Sequence, residues 1–274
     1  MTMSWSIHRI IMFLECPKKE YLSLKPLFEN YQTARSIVLP ALEQKRGTLW
    51  VDDLDNPSVA RFLVGVINFF GGDSSNPIAR ELIAEVKPIE VMMAPSDDWN
   101  ELIREIWADR LGTQVRTRMS ADSLDINHLR ELRDTLSDEF KLERVDLATI
   151  KRLDKRQNMH IPIFFGSSQE FIENGIGFCI KHEGKVISMA STFAPFIDEF
   201  EIEVRTNDDS RYRHRGFATV VSAALILYAL EHGLVPHWDA ANDASVGLAL
   251  KLGYTNPVRW NAFYVTPISD TTSG

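Results

Sequence analysis

Residues 201–218 read Glu-Ile-Glu-Val-Arg-Thr-Asn-Asp-Asp-Ser-Arg-Tyr-Arg-His-Arg-Gly-Phe-Ala, and their order decides the fold. Apolar and charged residues alternate up to Thr206, the period of a half-buried strand. A polar loop follows, and Arg213-x-x-Gly216-x-Ala218 opens a long apolar stretch that predicts a helix over Phe217 to His232, closed by Gly233. Backbone N–H groups at such a helix start are unpaired and point with the positive end of the helix dipole, which favours a phosphate. Gly216 lets the chain approach the anion, Ala218 keeps the first turn small, and Arg213 and Arg215 add charge. A single glycine in a tight turn beside solvated arginines reads equally from the residues alone. Neither a Gly-Lys-Ser/Thr ending nor a Gly-x-Gly-x-x-Gly run is present, so P-loop and dinucleotide sites do not explain the anion site.

Working outward, Gly175 to Lys181 reads as a strand, His182 to Lys185 as a hairpin turn, and Val186 to Phe193 as the returning strand. Phe200 to Thr206 is the third strand. After the long helix come a strand at Val235 to Ala240, a helix at Ala244 to Leu252 ended by Gly253, and a last strand at Trp260 to Thr266. The order β-β-β-α-β-α-β predicts an α/β (α+β) fold, a mixed, mostly antiparallel sheet flanked by helices. Further upstream lie a helix at Leu147 to Leu153, a loop through Met159 to Pro162, and a short helix around Gln169 to Asn174.

The run R-H-R-G-F-A at 213–218 resembles the Q/R-x-x-G-x-G/A motif of the GNAT acetyltransferases. The stretch P-H-W-D-A-A-N-D-A-S-V-G-L-A-L-K-L-G-Y at 236–254 is similar to that family's next block. A closer resemblance is to zwittermicin A resistance-type N-acetyltransferases, through Glu201-Ile202 with Thr206, Pro236-x-Trp238-Asp239 and Asn242-x-x-Ser245. The resemblance implies a GNAT fold over about 171–267 and acetyl-CoA as cofactor. It implies that Val204, Arg205 and Thr206 give backbone groups to the pantetheine arm. Arg213, His214, Arg215, Gly216, Phe217 and Ala218 would wrap the pyrophosphate, and Asn242 would contact the pantetheine amides. The implied reaction is direct transfer of acetyl from sulfur to an amine.

That chemistry needs a neutral amine, a polarised thioester and a proton for the thiolate. Glu201 and Glu203 share one strand face, so either can take the amine's proton, with Glu203 slightly favoured as nearer the bend. They can also bind a cationic acceptor, or form ion pairs on a solvated face. The family's usual tyrosine, seven residues after the asparagine, is Ala249 here. Ser245 is the remaining candidate acid or cofactor contact, although serine near a helix start often caps. Tyr254 reads as a packing aromatic, and Tyr264 lies on the last strand. His237 and Asp239 flank Trp238 on one strand side without further ligands, so no metal is expected. Cys179 and the Phe164, Phe165, Phe171 cluster read as core.

The first half divides from the second in a hydrophilic stretch, Arg130 to Asp138, which sets domains at 1–138 and 139–274. Helices broken near Pro26 and Pro40 are expected between Glu20 and Gln44. A hairpin is expected over Thr48 to Gly72, then helices at Arg80 to Val86 and Asn100 to Arg110 around a strand at Ile89 to Ala94. Ser96 is a candidate N-cap of the second helix, Val115 to Ser120 a further strand, and Ile126 to Leu136 helical. This half reads as a degenerate GNAT-like half without the phosphate motif.

The 274 residues are 45% hydrophobic and carry a net charge of -8, which argues against a general nucleic-acid binder. Cys16 and Cys179 read as free thiols in a reducing compartment. Ile10 to Leu14 and Ala218 to Leu230 are too short for a leader core and a membrane span, so a cytoplasmic protein without membrane partners is expected. Three function classes stay open: a small-molecule amine acetyltransferase, a protein or peptide N-acetyltransferase, and a non-catalytic acyl-CoA-binding module.

Overall fold

The computed structural model describes residues 13–267, so residues 10–12 of the N-terminal apolar stretch lie outside the described residues. The elements run β1 (Leu14–Glu15), a 3-10 helix (Lys18–Phe28), α1 (Arg35–Glu43), β2 (Thr48–Val51), β3 (Val59–Val64) and β4 (Ile67–Gly72). They continue with α2 (Pro77–Ala84), β5 (Val91–Met93), α3 (Asp97–Trp107), a short 3-10 turn (Ala108–Arg110), β6 (Leu111–Ser120) and α4 (Ile126–Arg133). Then come β7 (Lys141–Arg144), α5 (Leu147–Ile150), a π-helical turn (Ile161–Phe165), α6 (Ser168–Asn174), β8 (Gly177–His182), β9 (Lys185–Thr192) and β10 (Glu199–Thr206). The chain ends in α7 (Phe217–Glu231), β11 (Val235–Ala240), α8 (Asp243–Leu252) and β12 (Thr255–Val265). The mixed α/β class expected from the sequence is the class observed.

The chain forms two compact units that interleave along the sequence rather than dividing once at Asp138. One takes described residues up to Asn30, Lys45–Gly112 and those from Phe263; the other takes Tyr31–Gln44 and Thr113–Ala262. Arg130 to Asp138 lies inside the second unit, and its Leu132 packs against the core formed by Leu129, Trp238, Ala249 and Leu252.

In the first unit, β1 to β4 form an antiparallel run, and β5 lies parallel to β4 with Phe263 and Tyr264 on its other side. The expected hairpin is a three-strand meander: the run from Ala60 to Phe70 breaks at Gly65, whose φ of 61° turns the chain back between Val64 and Ile67. Gly71 is required by close approach, since a Cβ there would meet the Leu27 carbonyl oxygen at 2.5 Å. Ser96 stands at the N-cap of α3 but makes no side-chain cap bond.

In the second unit the sheet order is β6-β11-β10-β9-β8-β7, with only β10 and β11 parallel. Helix α7 is apolar on all sides because it is covered on all sides: eleven of its fifteen residues are buried, between the strands and helices α4 and α8. Strand β7, the edge of this sheet, escaped the sequence reading because Lys141-Leu-Glu-Arg144 is mostly exposed and carries little apolar signal. The expected loop at Met159 to Pro162 runs into the π-helical turn. The last strand starts five residues earlier than its apolar content suggested, in an exposed stretch.

Candidate functional site

Strands β10 and β11 pair in parallel only at Glu199–Val235, Phe200–Pro236 and Glu201–His237. Beyond that point each turns to another neighbour: Ile202 to Thr206 pair with β9, and Trp238 to Ala240 pair with β6. Among the described residues no ladder joins them there, so a wedge opens between two strands inside the sheet. Backbone groups in an antiparallel pair alternate in direction. The Phe193 N–H donates to the Glu201 carbonyl at 2.8 Å, and the Asn207 N–H to the Ile187 carbonyl at 2.8 Å. Residues 201, 203, 205 and 207 therefore turn their backbone to β9, whereas Val204 and Thr206 turn theirs to the wedge. Of the three positions carried over from the resemblance, Arg205 offers the wedge no backbone group.

At the mouth of the wedge the loop enters α7. His214 has φ 57° and Gly216 φ 81°, so left-handed residues alternate with Arg215 and gather successive N–H groups into a concavity suited to an anion. Gly216 is the N-cap, and no side chain caps the helix, which leaves the first-turn N–H groups facing outward. A Cβ on Gly216 would meet nothing within 4 Å, so the space before it is open. Phe217 and Tyr212 anchor the loop in the core beneath. The arginines are held by carboxylates: Arg213 by Asp208 at 2.8 Å, Arg211 by Asp209 at 2.6 Å, and Arg215 by Glu139 at 3.2 Å while it lies over Phe140 and Phe217. Uncapped N–H groups with carboxylate-paired guanidinium groups at the rim form a cradle that could hold a pyrophosphate.

The odd residues of β10 face away from α7, and on that side four carboxylates gather. Glu199 accepts from His237 Nε2 at 2.8 Å and lies 3.8 Å from Arg35; the imidazole hydrogen bond holds its carboxyl below the usual range. Burial opposes a charge on His237, but Glu199 and Glu201 outweigh it and raise its pKa. Asp239 is paired with Arg116 at 2.5 Å and accepts from the Trp260 indole at 2.9 Å. Glu203 is ion-paired with Arg205 at 2.5 Å, and burial still lifts its carboxyl above the ordinary value.

Glu201 differs from these three. Its Oε1 accepts from the Ser36 hydroxyl at 3.0 Å, whereas its Oε2 is shielded from solvent and has no hydrogen-bond partner among the described residues. Burial, with Asp239 nearby, pushes its pKa up to about 7. A carboxylate with one free oxygen and a pKa near neutrality is suited to taking a proton from an ammonium group. Beside Glu203, across the β9 register, Ser191 bonds His160 Nε2 at 3.0 Å. Burial and Arg205 drive that imidazole down to about 4, so it is neutral.

On the far side of the wedge, Asn242 caps α8 by accepting from the Ser245 N–H at 3.0 Å, which leaves its side-chain NH2 outward. Ser245 Oγ accepts from the Trp238 indole at 3.1 Å, so its own proton stays free to donate; Asn242, not Ser245, is the cap. Ala249, at the family tyrosine position, is fully buried. The Tyr254 hydroxyl donates to the Pro236 carbonyl at 2.8 Å and is buried, which raises its pKa far from an acid's range. Tyr264 lies in the other unit, against Gly112. Among the described residues no three His, Cys, Asp or Glu gather as a metal site, and no helix is long and apolar enough to cross a membrane.

Sequence reasoning missed Ser36, Arg35, Arg116 and His160 at this face. Ser36 and Glu201 are 165 residues apart, and nothing local marks the serine.

A family model described as GNAT acetyltransferase matches residues 25–263. The chain is 27% identical over 263 residues to the uncharacterized N-acetyltransferase YdfB of Bacillus subtilis (strain 168), covering 91% of this chain and 97% of that protein. It is similar to the crystal structure of a GCN5-related N-acetyltransferase-like protein from Streptococcus suis 89/1591, at TM-score 0.76 and 29% identity over 90% of this chain and 98% of that one. A tandem GNAT protein from the clavulanic acid biosynthesis pathway shares the fold, at TM-score 0.59 and 12% identity over 94% and 99% of the two chains. With its splayed parallel strands, uncapped helix start and family match over most of its length, the chain belongs to the GNAT acetyltransferase family.

Proposed function

We propose that this acetyltransferase moves an acetyl group from acetyl-CoA to a primary amine by direct attack in a ternary complex, and that the amine belongs to a small molecule. The observation that carries the reading is the wedge between β10 and β11, open at its mouth onto the uncapped start of α7. In it, Val204 and Thr206 bind the pantetheine arm, and the 213–218 loop holds the pyrophosphate. The amine nitrogen attacks the thioester carbonyl, the carbon–sulfur bond breaks, and the amine's proton passes to Glu201, directly or through a water. The thiolate takes a proton from solvent or from Ser245, because no tyrosine stands at Ala249 and Tyr254 is tied to the sheet. Glu203, committed to Arg205, sets the charge around the amine.

Helix α1 packs on β10 and brings Arg35 and Ser36 to Glu199 and Glu201, an enclosure that supports a small acceptor over an open peptide groove. The resemblance to zwittermicin A resistance-type enzymes points the same way, toward an aminated metabolite or antibiotic. The first half is proposed as a degenerate GNAT-like unit: β2-β3-β4-α2-β5-α3 repeats the order and strand directions of β8-β9-β10-α7-β11-α8.

The buried Ala249 favours one rival, a non-catalytic acyl-CoA-binding module. Isothermal titration with acetyl-CoA and thiol release against a panel of small amines and lysine peptides separates these readings. Micromolar binding with turnover of small amines is expected. Binding with no release of thiol against any acceptor supports the module, and no binding refutes the cofactor site.

A further inference from the structure

We propose that Ser36, on the first turn of α1, is a positioning residue that ties down one oxygen of Glu201 and leaves the other to receive the acceptor's proton. The inference rests on the reading of Glu201 as the base. It starts from an asymmetry within one carboxylate. Oε1 is held by the Ser36 hydroxyl at 3.0 Å, and Oε2, shielded from solvent, is held by nothing among the described residues. An unsatisfied buried acceptor costs free energy, and that cost falls when Oε2 takes up a proton or meets a donor. Ser36 is itself 2% exposed, too enclosed to bond solvent instead. The hydroxyl therefore has one use, to choose the Glu201 rotamer.

The surroundings make that choice consequential. From α1, Arg35 pairs with Glu199; from β11, His237 and Asp239 face the carboxylate; from β6, Arg116 engages Asp239 while Arg118 lies near His237. On its own strand Glu199 and Glu203 flank it, with Arg205 taken by Glu203 and the neutral His160 beyond Ser191. The Tyr254 hydroxyl, also close, is bound to the Pro236 carbonyl. Arg35, Arg116, Arg205 and His237 are thus each engaged by another carboxylate and Arg118 donates to the Gln32 carbonyl at 2.9 Å, so the serine supplies the direct bond to Glu201. Its loss frees the carboxyl to rotate and removes a donor that favours the charged form, so the titration midpoint moves upward.

The test is a site-resolved titration of protein carrying carbon-13 at glutamate carboxyls, with the Glu201 signal identified by its absence in Glu201→Gln. The midpoint is expected near 7 in the unaltered protein, about half a pH unit to one unit higher in Ser36→Ala, and restored in Ser36→Thr. Ser36→Cys, close in size and a weaker donor, is expected between them and serves if the alanine variant fails to fold. An unmoved midpoint in the alanine or cysteine variant overturns the inference. So does a uniform loss of rate at all pH values without a shift in the acidic limb of transfer. If Glu201→Gln keeps that limb in acetyl transfer to small amines while Ser36→Ala still shifts the midpoint, the base reading fails and the contact is structural. If Glu201→Gln removes the limb but Ser36→Ala moves nothing, the positioning role fails alone.

Discussion

Replacement of Gly216 tests the phosphate cradle most directly. The residue sits at φ 81° and ψ 2°, where an L side chain costs about 1–2 kcal/mol, and a β-branched one more. Because an added Cβ meets nothing within 4 Å, the cost in the free protein is backbone strain and not a clash. The strained loop either keeps its shape or relaxes, turning the Phe217 N–H away from the anion. Strain of that size corresponds to a loss of roughly 5- to 30-fold in CoA affinity. Asparagine tolerates the left-handed region better than alanine, so affinity by calorimetry should fall in the order Gly, Asn, Ala, Val, with only small losses in melting temperature. Equal, severe losses in all three variants would show that backbone approach to phosphate, and not φ, is limiting. Wild-type CoA affinity in Gly216→Val would refute the cradle itself.

Four further outcomes are expected. Transfer should rise with pH through about 7 as Glu201 loses its proton, and Glu201→Gln should lose that limb while keeping CoA binding. Its raised pKa contributes stability that is complete below about 4.5 and lost as pH rises through about 7, so Glu201→Gln should gain on the unaltered protein in melting temperature across that window. A fragment of residues 139–274 should expose apolar surface and aggregate, because it lacks β6, the partner of Trp238 to Ala240, and Leu129 of α4; a soluble, two-state fragment would contradict the second unit's composition. Cys16 and Cys179 are buried, and burial pushes the Cys179 thiol up to about 11, so a thiol reagent should react fast only after denaturation.

The second half was legible because its signals are local. Period-2 alternation marks β10, a Glu183–Gly184 turn with both φ positive closes the β8–β9 hairpin, and an unbroken apolar run marks a helix buried on all sides. Strand β7 and the start of β12 were not legible, since exposed strands lack a burial pattern. Nor was the unit boundary, because α1 folds with strands more than 150 residues downstream. Glu201 and Glu203 were found as a pair on one face, but their order of merit was not readable. It depends on Arg205 turning back to Glu203 and on Ser36 arriving from α1, both matters of tertiary placement.

The contrast between the two helix starts shows why only one half is proposed to bind the cofactor. Helices α2 and α7 follow the same succession of strands, and each carries the dipole of its own first turn. At α2 the Asn76 side chain accepts from the Ile78 N–H at 2.8 Å, and Pro77 has no N–H to offer. The turn is self-satisfied, as good local folding demands. At α7 a left-handed glycine replaces the cap, no side chain reaches back, and the N–H groups stay unpaired. That start is the weaker one by the rules of helix stability, and the deficit is offset by the buried length of α7. A phosphate can bind where the fold leaves donors unused, so the absence of a cap at Gly216 says more about function than the arginines around it.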